Sequence, residues 1–149
     1  MQTDIKNIHD EIIQHAEALL TCLNSEFEIL NSHEYENLIP IASQKQELVQ
    51  SLNILDNKRQ ALTVDNDYSG YLEKIDASGL LLKHWNLTLE KIKQCNLQNE
   101  INGRLINKLN QISRETLDIF TGHNSSADVT YNPQGLKQGN STQLTNTRA

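Results

Sequence analysis

Gln98-Asn99-Glu100-Ile101-Asn102-Gly103-Arg104-Leu105-Ile106 interrupts what otherwise reads as one long amphipathic helix. Leu81, Trp85, Leu89 and Ile92 precede it at helical spacing, and Leu109, Ile112, Leu117 and Phe120 follow it. Between them the apolar stripe turns polar and small, through Asn96, Asn99, Asn102 and Gly103. Glycine costs about 1 kcal/mol relative to alanine inside a helix. A buried asparagine loses free energy unless its amide finds partners. Stability alone does not select such a segment, so it points to packing register or to partner binding.

Outward from this segment the chain divides into helices. Helix 1 is predicted from about Asp4 to Leu30, with Thr3 or Asp4 as its cap. Its stripe is Ile5, Ile8, Ile12, Ala16, Leu19, Leu23, Phe27 and Leu30, alternating three and four apart as a seam facing partner helices does. A short turn, Asn31 to Glu34, has capping-box spacing, although such boxes usually open with Ser or Thr. Helix 2 then carries Leu38, Ala42, Leu48, Leu52, Leu55 and Leu62. Pro40 either kinks it or marks a start near Ile39. The shortness of the turn makes helices 1 and 2 an antiparallel hairpin.

Thr63 to Ser78 reads as a polar connector with turn formers at Asp65-Asn66-Asp67 and Ser69-Gly70, and one or two helical turns over Tyr71 to Ile75. Helix 3 is predicted from about Gly79 to Thr121, with Gly122 as its stop. Beyond Gly122 the composition shifts to Asn, Ser, Thr, Gln and Gly, too polar to order itself alone. The expected fold class is therefore all-α: an antiparallel helical hairpin plus a long third helix, an elongated three-helix bundle or coiled coil, with a flexible C-terminal tail. The expected division is a helical bundle over 1–122 and a tail over 123–149.

Bulk properties agree. Hydrophobic content of 37% and aromatic content of 5% are low for a compact globule and suit the thin core of a bundle. A net charge of -6 with scattered lysines and arginines argues against nucleic acid or anionic lipid as the main partner. No stretch approaches the roughly 18 apolar residues of a membrane span, and the first residues lack the apolar core of a signal peptide. Cys22 and Cys95 stand in no metal or redox motif and read as half-buried reduced thiols of a cytosolic protein.

Catalytic patterns are missing. None of His9, His15, His33, His84 and His123 follows a glutamate at the spacing of di-iron bundles. There is no zinc-protease helix motif, phosphate-binding glycine loop or hydrolase serine elbow. Glu11 and His15 share a helix face, but a lone pair reads as a solvated contact. The expectation is a non-enzyme with no cofactor and no metal.

The order of features resembles the FlgN family, flagellar type III export chaperones for the hook-filament junction proteins. The resemblance rests on the helical hairpin, the polar connector, a third helix with Trp85 near its start, and the block Asn99 to Ile106. It rests also on the tail segment Thr130-Tyr131-Asn132-Pro133-Gln134-Gly135 and on Lys45-Gln46-Glu47-Leu48 leading helix 2. Pro40 departs from the family pattern and bears on the geometry of the hairpin. The resemblance implies a cytoplasmic chaperone that binds C-terminal segments of junction proteins, keeps them unpolymerised and delivers them to the flagellar export apparatus.

For such binding, an amphipathic substrate segment would lie in a groove between helices. The candidate surface is Asn102, Gly103, Leu105, Ile106, Leu109, Ile112, Leu117 and Phe120, where helices 1 and 2 give helix 3 limited cover. Tyr131 and Gly135 in the tail would clamp the ligand, and ordering the tail on binding lowers net affinity. Spacing alone favours a core role for Leu105 and Ile106, and Asn102 with Gly103 fits close helix approach or a register device, a reading compatible with substrate binding. The competing class is a structural scaffold in which unequal helices complete their core by pairing with a second copy as a homodimer.

Overall fold

The computed structural model describes the backbone of residues 1–64 and 66–131, and the side chains of those up to 122. Four α-helices follow in order: α1 (Gln2–Ser32), α2 (Leu38–Gln60), α3 (Tyr68–Ile75) and α4 (Leu80–Tyr131). A 3₁₀ turn over Tyr35–Asn37 precedes α2. The described residues form no strand, and the all-α expectation holds.

The stripe of α1 is buried as its spacing demands, at Ile5, Ile12, Ala16, Leu19, Leu23 and Leu30. The helix starts earlier than expected. Neither Thr3 nor Asp4 caps it; Met1 is the cap residue without a side-chain bond, and its ammonium pairs with Asp4 at 3.1 Å. At the other end His33 takes a left-handed conformation, φ 61°, and shares a 2.6 Å hydrogen bond with the Tyr35 hydroxyl. The capping box expected between Asn31 and Glu34 does not form, because Asn31 is still inside α1. Pro40 sits in the first turn of α2, where backbone N–H groups have no helical partner, so the helix accommodates it at its start.

α1 and α2 run antiparallel. Glu26 pairs with Lys45 at 3.2 Å near the turn, while Ile5 and Ile12, early in α1, share a cluster with Leu55, late in α2. The Cys22 thiol donates to the Ile41 carbonyl at 3.6 Å. α4 returns parallel to α1 with a steady offset. The Cys95 thiol donates to the Ala16 carbonyl and Asn102 to the Leu23 carbonyl, both 79 positions apart. Both thiols are free and fully buried rather than half-buried, and burial pushes each thiol pKa up.

The connector contributes more than its polarity suggests. The Asp67 carboxylate caps α3 by accepting from the Gly70 N–H at 2.9 Å, and α3 buries Tyr68 and Leu72. These two join Ile5, Ile12, Leu55, Leu81 and Trp85 in the main core cluster. A smaller cluster holds Ala16, Leu19, Leu23 and Cys95. Asp76 then starts α4: it accepts from Ser78 Oγ at 2.5 Å and from the Leu81 N–H at 2.9 Å. Those hydrogen bonds hold its carboxyl below the usual range, the Ser78 hydroxyl foremost.

The chain resolves into two compact units, Met1–Ile106 and Asn107–Ala149, and both core clusters lie in the first. α4 does not stop at Gly122, as expected, but continues to Tyr131. A helix with open surroundings tolerates glycine at a modest cost.

Candidate functional site

The polar interruption of α4 resolves into two different residues. Asn102 is completely buried. Its amide nitrogen donates to the Leu23 carbonyl at 2.8 Å and to Glu26 Oε2 at 2.7 Å, and its oxygen accepts from Gln98 Nε2 at 2.9 Å. Glu26, itself buried, is held from α2 by Lys45. One node therefore ties α1, α2 and α4, and sliding any helix by a residue would leave buried groups unpaired. Gly103 is not needed for close packing, since a β-carbon there would meet nothing within 4 Å.

The other expected surface residues divide along α4. In the first unit Leu105 is half-buried and Ile106 lies at the margin of exposure. In the second unit Leu109 is half-buried, and Ile112, Leu117 and Phe120 are 48%, 62% and 84% exposed. Ile119, not singled out in the sequence, is exposed as well. No residue from 107 to 122 is buried. This stretch presents large apolar side chains to solvent, which marks a surface for association. Tyr131 belongs to the backbone of α4, but its side chain, like all of Gly135, lies outside the described residues.

Spacing did not suggest a groove within the first unit. A cavity of about 370 Å³ is lined by all three long helices, with Val49 and Leu52 from α2, Trp85, Leu89 and Ile92 from α4, and Ile12 from α1 among its walls. Val49 and Leu89 are exposed on its rim. Leu89 stands on the predicted stripe of helix 3 and Val49 on none, and only the packing shows that they face one space.

At one end of this groove stands an aromatic cluster. The His9 Nε2 and the Tyr68 hydroxyl share a 2.8 Å hydrogen bond, and the Trp85 ring lies 5.2 Å from His9 and 5.0 Å from Tyr68. The Arg59 guanidinium covers both Tyr68 and Trp85, at 4.7 and 4.9 Å. Burial, with the nearby His84 and Arg59, lowers the His9 pKa from 6.5 to about 4. Burial likewise pushes Tyr68 up to about 12. The contact ties α1, α3 and α4 together beneath the Arg59 guanidinium of α2. Among the described residues no group of His, Cys, Asp and Glu side chains could hold a metal ion, and no helix is long and apolar enough to cross a membrane.

A family model described as FlgN protein matches residues 1–139. No curated protein matches the chain, and no solved structure does.

Proposed function

Because the chain belongs to the FlgN family, the flagellar export chaperones, we propose that it binds the C-terminal segments of hook-filament junction proteins in the cytoplasm. In this role it prevents their premature assembly and delivers them to the type III export apparatus. As a family member it is a chaperone and not an enzyme. The observation that carries the binding reading is the exposed apolar face of α4 at Ile112, Leu117 and Phe120. An amphipathic segment of the substrate would bury that face, and Leu105, Ile106 and Leu109 are further candidates for contact with it. Asn102 would act indirectly, by fixing the register of the helix that carries the face, and Gly103 would leave room beside it. The tail, with Tyr131 and Gly135, would close on the bound segment.

Titration calorimetry of the full chain with the C-terminal segment of a junction protein from the same organism tests this. The expected result is saturable binding of about micromolar strength or better, with a negative heat-capacity change from apolar burial. Absence of binding to every such segment, together with a stable oligomer by light scattering, would overturn it in favour of a scaffold that covers the same face with a second copy.

A further inference from the structure

A second apolar pocket lies within the first unit, and none of its lining residues belongs to the face assigned to substrate. Its volume is about 310 Å³, and Lys6 of α1 with Leu80, Leu81, Lys83, His84 and Leu87 of α4 line it. Leu80 and Leu87 are exposed, at 68% and 54%. They stand four and three residues from the bundle-facing His84, so one side of the first turns of α4 is apolar toward solvent. No core requirement explains two leucines there.

The charge around the pocket runs against the rest of the chain. The protein carries a net charge of -6, yet the pocket is bordered by two lysines. Among the described residues neither Lys6 nor Lys83 is in an ion pair. Two carboxylates on the same stretches, Asp10 and Asp76, bond to groups other than the lysines. Asp10 pairs with His84 Nε2 at 3.0 Å, and Asp76 accepts from Ser78 and from the Leu81 N–H. The start of α4 is thus capped from within, and any further anion must be attracted by the lysine side chains. Two free ammonium groups beside exposed leucines match an apolar surface flanked by carboxylates.

We propose that this pocket docks an acidic amphipathic helical segment of a protein partner. One apolar side chain of the segment sits between Leu80 and Leu87, and carboxylates on the adjoining turns meet Lys6 and Lys83. The pocket has room for an anchor side chain rather than for a whole helix, so the contact is weak and transient. The lysines select for charge and speed encounter, and the leucines supply most of the affinity. The site shares no residue with the α4 face assigned to the export substrate, so the two can fail separately.

The test uses the full chain, isotope-labelled for NMR, and a capped peptide of about 14 residues, four helical turns. Leucines three and four apart form one face of the peptide and glutamates flank them; a control peptide carries lysine in place of each glutamate. The expected result is saturable shifts of the Lys6, Leu80, Lys83 and Leu87 amides with the glutamate peptide, at a Kd of about 100 µM, weakening with added salt. The double variant Lys6→Glu/Lys83→Glu should melt at an unchanged temperature, bind the glutamate peptide about tenfold more weakly, and prefer the lysine peptide. Equal binding of the two peptides, or binding that the double variant leaves unchanged, would overturn the proposal. So would phosphatidylglycerol vesicles shifting these amides where the glutamate peptide does not.

Discussion

The two ends of α4 carry the same kind of pattern and have opposite fates. From Leu81 to Asn102 the helix buries Leu81, Trp85, Thr88, Cys95 and Asn102. From Asn107 to Gly122 it repeats large apolar residues at similar intervals and buries none. Periodicity identifies a face that must be covered, but it does not say by what. In the first stretch the cover comes from α1, α2 and α3, whose side chains share its core clusters. In the second it is left, on our reading, to a partner.

Substitutions can break or sharpen this contrast. The largest effect is expected at Trp85, which sits in the main cluster against His9, Tyr68 and Arg59. Trp85→Ala should cost about 3–5 kcal/mol in denaturant unfolding. A loss as small as that of a surface substitution would mean that the first stretch is not core.

Acid comes next. The folded-state pKa of His9, about 4, lies below the ordinary 6.5, so the unfolded chain binds the proton more readily. The stabilisation is complete above about pH 6.5 and is lost progressively as pH falls toward 4, by up to about 3 kcal/mol. Asp76, whose pKa is also depressed, acts in the same direction at lower pH. Melting curves from pH 7.5 to 4 should decline in the wild type and decline less in His9→Phe.

Asn102→Ala should cost about 1–3 kcal/mol, since it strands the buried Glu26 carboxylate without one of its donors. A double-mutant cycle with Lys45→Met should show coupling, because both residues hold Glu26. Gly103→Ala should raise stability by about 0.5–1 kcal/mol, as the new methyl group meets nothing. If its substrate affinity falls while its melting temperature rises, the open space at Gly103 belongs to the partner. The smallest stability effect belongs to Leu117→Ser/Phe120→Ser, expected within about 0.5 kcal/mol of the wild type by thermal melting. The same variant should lose most substrate affinity. A large fall in its melting temperature would erase the distinction between the two stretches.

Much of the fold was legible because α1 and the first part of α4 follow strict helical spacing. Asn102 was legible as an exception to that spacing, and its partners explain it. Its counterpart Glu26 was overlooked, although it occupies a stripe position between Leu23 and Leu30, as His9 does between Ile5 and Ile12. A polar residue on an apolar seam is a stronger signal than its own chemistry suggests. The helical turns expected over Tyr71 to Ile75 are present as α3, which starts earlier, at Tyr68; what the turn formers hid was that Tyr68 and Leu72 join the core. The pairing of Asp67 with Gly70, followed by apolar residues four apart, was the available sign of a short capped helix. The stop expected at Gly122 failed because glycine ends a helix only where the following backbone turns away, a choice that one residue does not make. The groove beside Trp85 was not legible, since it depends on how the side chains of three helices pack together.

Amide hydrogen exchange across α4, with and without the C-terminal segment of a junction protein, tests the account most directly. In the free chain the amides from Leu81 to Asn102 should exchange slowly, and those from Leu109 to Phe120 quickly, because a helix without tertiary cover is marginal. Adding the segment should protect the second stretch and leave the first unchanged. Slow exchange over Leu109 to Phe120 in the free monomer, or saturable binding that leaves those amides unprotected, would contradict it.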